Sequence, residues 1–181
     1  MQKNPYQITA QDVAMFLIQH NLSHSQETVL IRRTFHSLSD YSNLSPEELP
    51  IYRKELRIFS DTVRNSAILY ELNPDEYKET TLILHDFGIE PPQEQNEDYL
   101  ISYFKNIKLR LFSYQVLNCH RCKFRTLLAQ LGYRHRSQSL IENMNRAVSA
   151  LGLQVFLKNG IPCDLAKINL DKWITIRLKN Q

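Results

Sequence analysis

Cys119 and Cys122 stand two residues apart in the stretch "NCHRCKFRTLLAQLGYRHRS", and His135 follows after twelve more. Tetrahedral Zn²⁺ prefers thiolates and imidazoles, and this is the spacing of three of the four ligands in a two-Cys, two-His finger. The fourth ligand would fall at Ser139, Leu140 or Ile141, and no histidine follows His135. Cys163 and His120 are the remaining residues that could close a site. A redox role for Cys-x-x-Cys needs a βαβ setting, which this segment lacks. The pattern favours reduced thiols over a metal centre, and no cofactor is expected.

Other chemistry-bearing patterns are weaker still. Pro74-Asp75 and Glu76-Tyr77-Lys78 contain the pieces of a nuclease signature, but such enzymes separate the pieces so that two strands bring both carboxylates to one metal. Here the pieces adjoin, and carboxylates at a helix start explain them better. His85-Asp86 is an isolated pair of a kind that is usually structural. There is no Gly-rich phosphate loop, no Gly-x-Ser-x-Gly elbow and no His-Glu-x-x-His. A non-enzymatic protein is expected, with association with a nuclease as the residual catalytic reading.

Charge is more informative. The net +3 of the 181 residues conceals two unlike parts. Residues 1–100 hold 8 Lys+Arg against 16 Asp+Glu, whereas residues 101–181 hold 14 against 3. The stretch "GIEPPQEQNED" between them has the glycine, prolines and polar residues of a linker. From Ile101 to Ile141 there is no acidic residue, while Lys105, Lys108, Arg110, Arg121, Lys123, Arg125, Arg134 and Arg136 occur. A solvated surface ordinarily mixes both signs, so one sign over this length points to an anionic polymer or an acidic protein. An apolar content of 43% suffices for a core. The first residues lack an apolar h-region and the cysteine count is odd, so a reducing, cytoplasmic setting is expected. No apolar run has the length of a membrane span.

These residues must be positioned by helices for most of the chain. Thr9 with Asp12 forms a capping box ahead of a helix from about 10 to 20, and a second helix follows the turn "NLSHS". Ser45-Pro46-Glu47-Glu48 starts a third, with Pro50 shifting or kinking that start. Leu56, Phe59, Val63, Ala67 and Tyr70 lie on one face of it, and Asn73-Pro74 caps a further helix ended by Gly88. Beyond the linker, Asn96 opens another helix. "KLRLFSYQVL" fits either its extension or a strand.

Phe124, Leu127, Leu128 and Leu131 then recur at helical spacing with Gly132 at the end, and "YRHRSQ" forms a basic turn. Ser139-Leu140-Ile141-Glu142 is a capping box for the next helix, whose apolar stripe is Ile141, Met144, Val148 and Leu151 before Gly152. "LQVFLKNG" and "KWITIRLK" have strand character, the latter with Ile174, Ile176 and Leu178 on one side and Trp173, Thr175 and Arg177 on the other. They can pair as an antiparallel ribbon joined by a loop carrying Asp164, Lys167 and Asp171.

Helix, turn, helix and ribbon over residues 120–178 resemble the winged helix-turn-helix DNA-binding domains, with "LLAQLGYRHRSQSLIENMNRAVSALGL" similar to the core of one. The resemblance implies a mainly α protein. A helical, acidic N-terminal domain, 1–88, would serve dimerisation or partner binding. A linker, 89–97, would lead to a basic winged-helix-like domain, 98–181. In this reading Cys119 and Cys122 precede or begin the helix that braces the reading helix. That reading helix, 139–151, presents Ser139, Glu142, Asn143 and Arg146 to the major groove, where Asn can pair with adenine, Arg with guanine, and Glu can accept from cytosine. Lys123, Arg134 and Arg136 would sit near phosphates, and Lys167 belongs to the wing.

The expected function is a transcriptional regulator or DNA-binding adaptor for double-stranded DNA, with a homodimer or protein partner engaged through the N-terminal helices. The alternative is a non-catalytic interaction subunit of a nucleic-acid-processing or defence complex, whose basic half docks an acidic partner. Residues 9–38 also read as helix, turn, helix, and Arg32 and Arg33 make them a second candidate DNA contact. RNA binding is a further alternative, although the aromatic-rich strand pattern of common single-strand RNA modules is absent.

Overall fold

The computed structural model describes residues 4–38, 44–72, 97–113 and 118–179, which form a mainly helical protein with one small antiparallel sheet. The chain divides into two compact units, one spanning Gln7–Leu82 and the other containing Ile83–Gln181. The expected helix from 73 to 88 lies outside the described residues. So does the expected linker, except for its last residue, Glu97.

In the first unit, α1 (Ala10–His20) starts where expected. Thr9 Oγ1 accepts from the Asp12 backbone N–H at 3.1 Å, and Asp12 Oδ2 accepts from the Thr9 N–H at 2.9 Å, so two otherwise unpaired donors are satisfied reciprocally. After Asn21 in the left-handed region come α2 (His24–Leu38) and α3 (Leu49–Leu72). Ser45 and Glu48 form a second reciprocal cap, at 2.9 and 3.3 Å. The helix proper begins only at Leu49, which puts Pro50 in the first turn, where a missing N–H costs nothing. Val13, Phe16, Leu30, Ile31, Tyr52 and Val63 are buried within this unit.

In the second unit, α4 (Glu97–Ser113) settles the ambiguous segment as helix through Ser113, with Tyr114–Leu117 outside the described residues. This helix is buried almost all round. Lys105 is only 1% exposed, and Lys108 and Arg110 are half-buried, so these three cations of the acid-free run do not belong to an open surface. Burial also holds the Lys108 ammonium below its ordinary pKa, because the charged form loses its hydration.

β1 (His120–Lys123) leads into α5 (Phe124–Gln130), α6 (Gln138–Ala150), β2 (Leu153–Phe156) and β3 (Trp173–Leu178). The sheet order is β1-β3-β2, both pairings being antiparallel. β1 was not expected: Cys119 and Cys122 precede α5, and Cys122 does so as a strand residue opposite Ile174. The ribbon expected from two strands is therefore a three-stranded sheet. Alternation sorts its residues, with Cys122, Ile174 and Ile176 buried on the inner face against the helices. Tyr99 Oη donates to the Gln130 carbonyl at 3.2 Å and Tyr103 Oη to Gln130 Oε1 at 2.6 Å, fixing α4 against the end of α5.

Candidate nucleic-acid interface

The turn between α5 and α6 is built by its ends. Phe124, Leu127, Leu128 and Leu131 are buried as their spacing requires, and Gly132 at φ +80° takes the left-handed conformation that lets the chain leave α5. Ser137 caps α6, its Oγ accepting from the Leu140 N–H at 3.2 Å. The cap therefore lies two residues before the expected Ser139. Ser137 has the extended backbone that a cap requires, and a start there carries Leu140 as well as Ile141 onto the buried face. Glu142, released from capping, accepts from Gln138 Nε2 at 3.0 Å.

Ser139, Glu142 and Arg146 are exposed on α6, and Asn143 beside them is half-buried. Arg146 lies 3.5 Å from the Glu97 carboxylate. That contact is between exposed groups and is worth at most about 1 kcal/mol, so it does not withhold the guanidinium from a stronger anion. Arg134 is exposed in the turn. Arg136 has an internal duty: its Nη1 donates to the carbonyls of Ile168 at 2.7 Å and Leu165 at 3.3 Å, drawing the β2–β3 connection against the turn that opens α6. Leu165, 1% exposed, anchors the same connection. Lys167, adjacent to it, is paired with Asp164 at 3.5 Å and remains largely solvated.

Lys123 is placed elsewhere, at the end of β1 and on the outer face of the sheet. Sequence reasoning missed what surrounds it there. Arg121 lies over the Trp173 ring at 5.1 Å and Arg177 over Phe156 at 6.0 Å. The signal was present in the basic residues at alternate positions, Arg121 and Lys123, but four residues running straight into a helix do not announce a strand.

The acidic side chains after residue 100 all have local partners. Glu142 is bound to Gln138 and Asp164 to Lys167, while Asp171 accepts a two-pronged bond from Arg125 Nε and Nη2 at 2.9 and 3.2 Å. The remaining surface is dominated by cations.

Neither Cys122 nor Cys163 is poised for thiolate chemistry. Burial pushes the Cys122 thiol up to about 11, and burial together with Asp164 pushes Cys163 up to about 11. Cys122 is buried on the inner face of the sheet, while His135 is exposed in the α5–α6 turn. Among the described residues no three His, Cys, Asp or Glu side chains gather in a metal-binding group, and no helix is long and apolar enough to cross a membrane.

His120, on the inner face, has its pKa pushed down to about 4, first by burial and then by the nearby Arg110. Its ordinary value is 6.5, so the unfolded chain binds a proton between these two values that the folded chain refuses. The associated stability is fully present above pH 6.5 and is lost as pH falls towards 4, to the extent of about 3 kcal/mol. Urea midpoints measured across this window should fall accordingly in the wild type and less steeply in His120→Gln. Parallel pH curves for the two proteins would contradict the assignment. Compared with known protein families, with curated proteins and with solved structures, the chain shows no match.

Proposed function

We propose that residues 97–179 form a winged helix-turn-helix that binds double-stranded DNA, α6 entering the major groove and the β2–β3 connection serving as the wing. The observation that carries this reading is the order helix, strand, helix, helix, strand, strand with sheet order β1-β3-β2, in which α6 keeps a polar face in solvent. Arg136 supports it by holding residues 165–168 beside the start of α6, so that one duplex can meet both. In this arrangement Ser139, Glu142, Asn143 and Arg146 read base edges, while Arg134 and Lys167 meet phosphates. Lys123 contributes to the cationic field from the sheet. The protein would act as a transcriptional regulator or DNA-binding adaptor. Titration of the full chain into a fluorescent duplex at low salt tests the reading. Saturable binding supports it, and unchanged anisotropy would remove it.

The N-terminal helices fit the accompanying role of self-association. Ile51, Ile58, Ile68, Leu69 and Leu72 are each more than half exposed on α3, a concentration of solvent-facing apolar side chains that ordinarily marks a protein interface. Sedimentation should show a dimer that Ile58→Glu shifts towards monomer. A wild-type monomer at high concentration would assign this face to another partner.

A further inference from the structure

Apart from Lys123, the duplex-binding reading leaves the outer face of the sheet unused. Its residues are Arg121 and Lys123 from β1, Gln154 and Phe156 from β2, and Trp173, Thr175 and Arg177 from β3. Registers place Lys123 opposite Trp173, Arg121 opposite Thr175, and Gln154 opposite Arg177. Both cation–ring contacts therefore run diagonally across the central strand, Arg121 to Trp173 on one side and Arg177 to Phe156 on the other. Trp173 remains 48% exposed despite its guanidinium neighbour.

No aspartate or glutamate occurs in any of the three strands. Asp171, just before β3, has both oxygens bonded by Arg125 and is also near enough to Lys123 for their charges to attract, so Arg121 and Arg177 are the cations of this face with no acidic neighbour in the strands. A large aromatic ring left in solvent costs apolar hydration, and a strand face that carries cations without an acid of its own has an uncompensated positive field. A partner that offers flat apolar rings and closely spaced negative charges relieves both. A duplex buries its base faces in its own stack, whereas a single strand presents them freely.

We propose that this sheet face binds single-stranded nucleic acid, with unpaired bases stacking on Trp173 and Phe156 and the adjoining phosphates meeting Arg121, Lys123 and Arg177. The strands hold these side chains on a rigid platform, so little ordering is needed on binding. The site lies on the face opposite the one packed against the helices, and it neither requires nor excludes duplex binding at α6.

Trp173 is the sole tryptophan, so its fluorescence reports this face directly. The full chain should be titrated with a single-stranded oligothymidylate of about 15 nucleotides, within the footprint of a small single-strand module. Trp173 emission should be quenched along the same curve as the anisotropy of a labelled oligonucleotide. Trp173→Ala should weaken that anisotropy binding by about 5- to 100-fold, and Arg121→Gln with Arg177→Gln should weaken it and flatten its salt dependence. Arg134→Ala, in the α5–α6 turn and not on a strand, should leave it nearly unchanged. Far-UV circular dichroism of each variant checks that the fold persists. Oligonucleotide binding with unchanged Trp173 emission would overturn the proposal, because the strand would then bind elsewhere. Absence of binding would do the same, and quenching by polyglutamate instead would assign the face to an acidic protein. Weakened duplex binding in Arg134→Ala with single-strand binding intact would separate the two sites.

Discussion

Replacing Phe124 by alanine is expected to destabilise the C-terminal unit by about 3–5 kcal/mol, the range for removing a fully buried phenyl ring. Phe124 is 0% exposed at the junction of β1 and α5, and its backbone N–H donates to the Lys172 carbonyl at 3.0 Å. The ring cannot turn to solvent without breaking the point where sheet and helix meet. A void there also touches the α5 stripe of Leu127 and Leu128, both buried, which orients the turn before α6. Denaturant unfolding followed through Trp173, which lies in the same unit, measures the loss. Trp173→Ala, followed by circular dichroism, should cost far less, because an exposed cation–π contact is worth about 0.5–1 kcal/mol. Equal losses in the two variants would mean that the interior has been wrongly assigned.

The second large effect is electrostatic. If about four side chains around α6 and the wing neutralise phosphates, affinity for duplex DNA should fall with a log–log salt slope near −3.5. That slope corresponds to a loss of roughly 100-fold between 50 and 200 mM salt. Arg134→Ala should reduce the slope by about one, because Arg134 is exposed in the turn. Arg136→Ala should weaken binding by another route, since its guanidinium holds the carbonyls of Leu165 and Ile168 and its loss frees the β2–β3 connection. Arg146→Ala should cost roughly 1–3 kcal/mol on a selected site and little on random DNA. Equal losses on both would take Arg146 out of base reading.

The helical part of this architecture was legible because apolar spacing and end signals agree. Gly132 and Gly152 were placed at helix ends and both have positive φ, and Thr9 with Asp12 forms the box its spacing implies. The α6 cap slipped by two residues because Ser137 and Ser139 are chemically equal candidates, and only the need to bury Leu140 distinguishes them. β1 was hidden for a different reason: a strand of four residues is defined by its partner, and the partner lies some fifty residues on, at Trp173–Ile176.

Charge was visible in the sequence but not its location. Lys105, Lys108 and Arg110 are drawn into or beside the interior by the apolar helix that carries them. Likewise, the excess of acid in the first hundred residues is concentrated late. Residues 73–98 contain eight acidic side chains and one lysine, while residues 1–72 contain eight acidic and seven basic ones. The helices α1–α3 thus belong to a nearly balanced segment, and the acidity of the N-terminal half resides in residues 73–98. Of the four residues that helical periodicity grouped on one exposed face, Ser139, Glu142 and Arg146 are exposed and Asn143 is half-buried. Periodicity could not show that Arg136 holds the β2–β3 connection, because that contact depends on carbonyls about thirty residues away.

The most direct test of DNA reading by α6 is the backbone amide spectrum of the full, isotope-labelled chain during titration with a duplex taken from a selected pool. The account predicts that the largest shifts fall at residues 133–146 and at 164–168, with α1–α3 little changed. Shifts confined to α1–α3, or the absence of any progressive change at a saturating duplex concentration, would contradict it.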